Sequence, residues 1–277
     1  LCTIAAHNFP ALDLNHISVR NDDGVAYLEA MSPVDCIFLD PARRNEHGGK
    51  TVAISDCEPN VAELEGLLLS KANRIMIKLS PMLDLSQALK ELPHTQEVHI
   101  ISVNNECKEL LLLLGQTAPE EIPVHCVNLS TKGEQEKQLF VFTREQEQHS
   151  ECSYTDTLGN YLYEPNASLL KAGAFRSIAA AYSVKKLHPN SHLYTSDTQI
   201  EGFPGRTFRI INRCSLNKKE IKENLSDLKK ANITVRNFPA TVAELRKRIK
   251  LAEGGDTYLF ASTLNDGQKI LIRCGKV

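Results

Sequence analysis

Between residues 17 and about 105 the chain alternates short β-rich runs with helical patterns, and few folds accept that order. Ile17-Ser18-Val19-Arg20, Val34 to Leu39, Arg74 to Leu79 and Val98 to Val103 predict strands. Val25 to Met31, Val61 to Ala72 and Leu85 to Leu92 predict the helices between them. Such alternation is the mark of an α/β fold with a parallel sheet and crossover helices. Cys36-Ile37-Phe38-Leu39 and Ile75-Met76-Ile77 are continuously apolar, as strands covered on both faces must be, so both are expected at the sheet centre. A helix is predicted over Cys107 to Leu114. Beyond it, Val124 to Leu129 and Gln138 to Thr143, separated by the polar Thr131-Lys132-Gly133-Glu134, predict an antiparallel pair closing one edge.

The polar, aperiodic stretch Arg144 to Ser153 is expected to link units. A small module follows: a strand at Tyr161-Leu162-Tyr163, a helix from Ala167 to Ala181, and a short strand within Lys186 to Asp197. It is too small to be stable alone. From Arg206 the pattern is βαβαββ. Its strands are Thr207 to Asn212, Ile233 to Arg236, Thr257 to Thr263 and Lys269 to Cys274. Its helices are Lys218 to Lys230 and one opened by the capping-box form of Thr241-Val242-Ala243-Glu244, and the last two strands turn across Asn265-Asp266-Gly267.

Composition narrows the function classes. The net charge of −2 hides a division: residues 1–150 carry 12 Lys+Arg against 22 Asp+Glu, whereas residues 206–277 carry 16 against 7. A basic unit on an acidic one fits polyanion binding, a soluble surface, or docking between the halves. The longest apolar stretch, Leu110 to Leu114, is far short of the roughly 20 residues that span a bilayer, so no membrane role is expected. Eight cysteines, at 2, 36, 57, 107, 126, 152, 214 and 274, lack the spacing of a zinc knuckle or redox pair. They read as reduced core thiols of a cytoplasmic protein, with no metal.

In open α/β sheets ligands sit beyond the carboxyl ends of the strands. Asp40-Pro41-Ala42-Arg43, Lys78-Leu79-Ser80-Pro81 and Asn104-Asn105-Glu106 occupy such ends. The Asp40 carboxylate can accept from an exocyclic amine, while Pro41 fixes the chain, which suits holding a nitrogen nucleophile in line with a methyl donor. Asp-Pro is also a common turn initiator. Arg43 and Arg44 can hold phosphate or a cofactor carboxylate, or solvate the loop. Asp22 or Asp23 can accept from an adenine amine, though Asn21-Asp22-Asp23-Gly24 is also ordinary turn chemistry. Lys78 and Asn104 are substrate-binding candidates, with a surface role as the alternative for Lys78. Arg246, Lys247 and Arg248 form a basic helix face that is either solvated or turned to RNA. The histidines suggest no catalytic pairing, and His7, His47 and His94 read as solvated or loop residues.

The order from Ile17 to Thr143, with Asp22-Asp23 and Asp40-Pro41-Ala42-Arg43 at successive strand ends, resembles class I S-adenosylmethionine-dependent methyltransferases. The whole chain resembles, more closely, the bacterial THUMP-like methyltransferase family. The phrases that carry this include Phe38 to Arg44, Lys78 to Pro81, Asn105 to Leu110 and Tyr161 to Asn166. They continue with Leu170 to Gly173, Phe203-Pro204-Gly205-Arg206, Val235-Arg236-Asn237-Phe238-Pro239 and Gly254 to Leu259. The resemblance implies a Rossmann-like methyltransferase sheet over 1–148, a ferredoxin-like segment over 149–204 and a THUMP-like α+β unit over 205–277. A complete class I domain opens with a glycine-rich loop after its first strand and a ribose-binding carboxylate after its second. This chain starts at about the following helix, so the sheet is expected to lack its first strands, the chain to be part of a longer protein, and the segment alone to be inactive.

The implied function is methyl transfer from S-adenosylmethionine to a base nitrogen in RNA. Asp40, Pro41 and Arg43 would serve catalysis, Asp22 or Asp23 the cofactor, and Lys78, Asn104, Arg246, Lys247 and Arg248 the substrate. The alternatives are a non-catalytic RNA-binding protein with a degenerate methyltransferase shell, or methylation of a protein or small molecule.

Overall fold

The structure, a computed structural model, describes residues 1–43, 53–131 and 137–277. It divides into two compact units, Leu1–Thr95 with Leu113–Ala118, and Gln96–Leu112 with Pro119–Val277.

The first unit contains α1 (Cys2–Ala11), α2 (Gly24–Ala30), β1 (Val34–Leu39), β2 (Ala42–Arg43), β3 (Cys57–Glu58), α3 (Val61–Lys71), β4 (Ala72–Leu79) and α4 (Leu85–Glu91). Asp23, Asn60 and Asp84 start α2, α3 and α4 by accepting backbone N–H groups that have no partner inside the helix. β1 and β4 run parallel with Leu39 opposite Ile77, and Ile75, Ile77, Val61, Leu68 and Leu92 pack the interior. Burial of Ile75 and Ile77 meets the expectation for a central strand. That of β1 does not, because among the described residues it pairs along one edge with β4, and Val34 and Phe38 are exposed. Residues 17–20 form no strand; their backbone finds no ladder partner among the described residues.

β5 (Thr95–Val103) and β6 (Glu106–Leu114) follow, and belong to the second unit apart from Thr95, Leu113 and Leu114. The run Cys107 to Leu114 is therefore a strand, against the helix that its leucines favour. The cause lies just before it. Asn104 and Asn105 have φ of 51° and 65°, the left-handed pair of a two-residue type I′ hairpin, which returns the chain beside β5. Leu110, Leu112 and Leu114 are buried while Leu111 and Leu113 are half-buried, a period of two. β7 (Pro123–Leu129) lies parallel to β5, and β8 (Lys137–Thr143) antiparallel to β7 as expected.

The stretch expected as a linker forms α5 (Arg144–His149), opened by a capping box between Thr143 and Gln146. There follow β9 (Tyr161–Pro165), α6 (Ala167–Ala172), α7 (Arg176–Ala181), β10 (Lys185–Lys186) and β11 (Tyr194–Ser196). The single helix predicted over 167–181 is two, because Gly173 ends α6 in the left-handed region at φ 76°. Glu147 of α5 accepts from the backbone N–H groups of Phe175, Arg176 and Ser177 at 2.8 to 2.9 Å, a carboxylate set against the N-terminus of α7.

The rest is β12 (Gly205–Cys214), α8 (Lys218–Leu225), β13 (Asn232–Arg236), α9 (Val242–Ile249), β14 (Thr257–Thr263) and β15 (Lys269–Lys276), the expected βαβαββ order. β9 pairs with β12, so one seven-stranded sheet, β10-β11-β9-β12-β15-β14-β13, runs through both segments. One face packs Leu162, Leu187 and Leu193 against Phe208, Phe260 and Ile272. The other packs Leu225 and Leu245, from α8 and α9, against Leu259, Ala261 and Leu271. The small module is stable because it lends strands to its neighbour's sheet and shares its core.

Phe208 is fully buried between the two segments' side chains. Phe208→Ala is expected to cost about 3–5 kcal/mol in urea unfolding and to weaken amide-exchange protection in 161–204 and 205–277 together. Loss confined to one segment would contradict the shared core.

Candidate active site

The register of β1 against β4 decides what lies at their carboxyl ends. Leu39 faces Ile77, so the next residues of the two strands, Asp40 and Lys78, emerge side by side, and Lys78 Nζ donates to Asp40 Oδ2 at 2.7 Å. Both side chains keep solvent contact, at 52% exposure for Asp40 and 33% for Lys78. Pro41 is buried, which anchors the turn. Ala42 and Arg43 leave it as β2, paired to Glu58 and Cys57 of β3. Arg43 contributes its backbone to this ribbon; Arg44 and His47 lie outside the described residues.

A cleft of about 840 Å³ opens between α2, β1 and α3 and reaches Leu39, the residue before Asp40. Tyr27, Leu28, Val34 and Leu39 give it apolar walls, and Asp23 lies on its margin. One oxygen of Asp23 caps α2, accepting from Val25 and Ala26 at 3.0 and 2.8 Å. Asp22 lines a separate hollow with Arg20 and Tyr27. The two aspartates thus serve different places, and Asp23 borders the larger one. An apolar slot of this size with one carboxylate oxygen not used by the cap fits the adenine end of a nucleoside cofactor.

Asn104 belongs to the second unit, where its amide group is engaged on both sides by Thr131: Nδ2 donates to Oγ1 at 2.9 Å and Oδ1 accepts from the Thr131 N–H at 3.0 Å. On α9, the guanidinium groups of Arg246 and Arg248 donate to the carbonyls of Ala231 and Leu216, whereas Lys247 is exposed. Part of the basic face therefore ties α9 to its neighbours.

Three residues that carried no role in the sequence reading meet at a second place. Glu164, 1% exposed, receives Arg206 on one carboxylate oxygen and Arg236 on the other, the latter through Nη2 at 2.9 Å. Their signal was present in the phrases Tyr161 to Asn166, Phe203 to Arg206 and Val235 to Pro239, which converge here. Nearby, His192 stacks on Phe175 at 3.7 Å between ring centres. Burial, with Lys186 and Arg236 adding repulsion, pushes its pKa down to about 4. On the β5–β7 face, His99 and His125 stack with planes 9° apart over Glu97. The Nε2 atoms of His99 and His125 lie 3.1 and 3.9 Å from the same Glu97 oxygen, and the three side chains offer ligand atoms within 4.8 Å of one another.

All eight cysteines are free. Cys57, Cys126, Cys214 and Cys274 are buried, and burial raises the thiol of Cys214 to about 11 and that of Cys274 to about 12. Cys36, expected in a core, is exposed, while Ile37 and Leu39 of the same strand are half-buried.

Comparison with known proteins gives three matches. Residues 161–204 match the model of a ferredoxin-like domain, and residues 205–276 that of a THUMP domain-like family. A crystal structure from Porphyromonas gingivalis W83, of a protein provisionally assigned as a methyltransferase, superposes with a TM-score of 0.89 at 39% identity. The match covers 100% of this chain and 69% of that one. No curated protein matches.

Asp23→Ala is expected to lower the unfolding free energy by about 1 kcal/mol through loss of the cap. Asp22→Ala should stay within about 0.5 kcal/mol of the parent; equal losses in urea titrations would remove the distinction. His192 sets a pH dependence. Its folded pKa near 4 lies below the unfolded value of about 6.5, so only the unfolded chain gains a proton between these values. Stability is thus complete above pH ~6.5 and declines toward pH 4, and His192→Gln should flatten that part of the profile. An unchanged profile would contradict it.

Proposed function

We propose, from the premise that this chain belongs to the THUMP-containing methyltransferase family, that it works within an S-adenosylmethionine-dependent enzyme that methylates a base nitrogen in RNA. The observation that carries this reading is the Lys78 ammonium held 2.7 Å from Asp40 at the ends of adjoining strands. This pair supports the reading, because the Asp40 carboxylate takes a nitrogen donor at this corner. An acceptor base amine would take the place of Lys78 on Asp40. Its N–H would be fixed and its lone pair aimed outward, so that orientation supplies part of the barrier reduction.

The cofactor, when bound, supplies an electrophilic methyl group. The cleft between α2 and β1 would hold its adenosine end, with Tyr27, Leu28 and Leu39 against the rings and Asp23 accepting from the exocyclic amine. Pro41, buried, holds the Asp40 corner in place, and Lys78 is proposed to face substrate phosphate. We assign 1–148 to the methyltransferase part, 149–204 to the ferredoxin-like segment and 205–277 to the THUMP-like unit. The excess of 16 basic over 7 acidic residues in 206–277 supports RNA as the partner, with Lys247 and Arg248 on its outer face. Asn104 is proposed to act on the substrate side only through the hairpin it holds. The setting we infer is the cytoplasm. Among the described residues no helix is long and apolar enough to cross a membrane.

A second reading, RNA binding without catalysis, is favoured by the same ion pair, since Lys78 fills Asp40. The full-length protein with labelled S-adenosylmethionine and cellular RNA separates the two. Asp40→Asn is expected to lower the rate by about 100-fold or more with RNA affinity retained. Full activity in that variant would refute the role of Asp40, and RNA binding without any methyl incorporation by the parent would select the second reading. Removing 205–277 is a poor test, because β12 and β15 share a core with β9.

A further inference from the structure

The Glu164 junction has an outward side. Glu164 is buried, while the side chains of Arg206 and Arg236 that grip it are 38% and 35% exposed. One carboxylate against two guanidinium groups leaves a net positive charge, with the arginines held in fixed orientation by charge-assisted bonds. Arg206 also lies over the Phe208 ring at 5.4 Å, which further restricts it.

Beside Arg206 is a hollow of about 660 Å³ lined wholly by the second unit. Its floor is a relay of side-chain amides. Asn128 Oδ1 accepts from the Asn105 N–H at 3.0 Å, and Asn128 Nδ2 and Asn166 Nδ2 both donate to Gln138 Oε1, at 3.3 and 3.2 Å. Gln138 Nε2 in turn donates to the Gly205 carbonyl at 3.1 Å. The relay consumes the Gln138 amide and fixes the Asn105 backbone. The Asn105 side chain accepts from the Ala167 N–H through Oδ1 at 2.8 Å, and among the described residues its Nδ2 donates to none. Gln199, exposed on the rim, has its whole amide available among the described residues, and Lys276 is exposed beside it. The hollow thus presents two cations and two amides, of which Arg206 and Asn105 are held by hydrogen bonds and Lys276 and Gln199 are exposed.

We propose that this hollow is a binding site for one nucleotide of an RNA strand, with phosphate on Arg206 and Lys276 and the base edge on Asn105 and Gln199. The assignment rests on the RNA reading above and adds to it a defined site outside the basic helix α9. A planar guanidinium matches phosphate through paired N–H groups, and a carboxamide both donates and accepts, as a base edge requires. The volume lies within the range of small-ligand sites. Glu201 on the rim can accept from an exocyclic amine, consistent with a base and unfavourable to an acidic peptide.

The test uses the full-length protein and a fluorescein-labelled single-stranded eight-nucleotide RNA, with anisotropy titrations at several salt concentrations. Gln199→Ala with Lys276→Ala removes two exposed side chains outside both core clusters. It is expected to weaken binding by about tenfold and to reduce the salt slope by about one, with thermal unfolding unchanged. Arg206→Lys keeps the charge but loses the fork, and should weaken binding with its salt slope preserved. Parent-like affinity and slope in the double variant, while Lys247→Ala with Arg248→Ala weakens binding, would overturn the site and leave the RNA reading standing. Absence of RNA binding by the parent would overturn both.

Discussion

The parallel register of β1 on β4 is the constraint from which the proposed chemistry follows. Pairing Leu39 with Ile77 makes Asp40 and Lys78 neighbours at the point where the two strands give out. A shift of one residue would turn alternate side chains to the other face and separate the pair. Burial of Ile75 and Ile77 holds the register, so the apolar interior and the polar corner are one arrangement. The α2–β1 cleft is attached to the same strand, so the proposed nucleoside and amine sites would both be set by a single element.

The second unit solves a different problem. A segment of some forty residues matching a ferredoxin-like domain buries too little on its own to offset its ordering entropy. Pairing β9 to β12 gives it a neighbour's sheet, and Phe208 and Ile272 complete its core. The Glu164 junction lies at that seam, with its two arginines reaching across it. Burying a carboxylate costs several kcal/mol unless it is paired; here each oxygen has a guanidinium. The same pairing holds the arginines ready for an anion, so one feature joins the segments and presents charge.

Much of this could be read from residue order. Apolar strands followed by Asp40 and Lys78 pointed to strand ends, and the βαβαββ unit was legible from Thr241 and Asn265-Asp266-Gly267. Leu110 to Leu114 misled because leucine favours helices, whereas the Asn104-Asn105 turn that made the run a strand was read as a site. β1 looked central by hydrophobicity, yet its burial depends on neighbours that its own residues do not specify. Glu164, Arg206 and Arg236 are 42 and 72 residues apart along the chain. Their phrases marked a family without revealing that they meet, because pairing at that separation is set by the sheet order.

The central claim is that the corner at the ends of β1 and β4 is where a methyl group changes hands. A crystal structure of the full-length protein with S-adenosylhomocysteine tests it most directly. The account predicts adenine in the cleft walled by Tyr27, Leu28 and Leu39, its amine within hydrogen-bonding reach of Asp23, and the sulfur turned toward Asp40. Density for the product away from this cleft, or a sulfur turned away from Asp40, would contradict it.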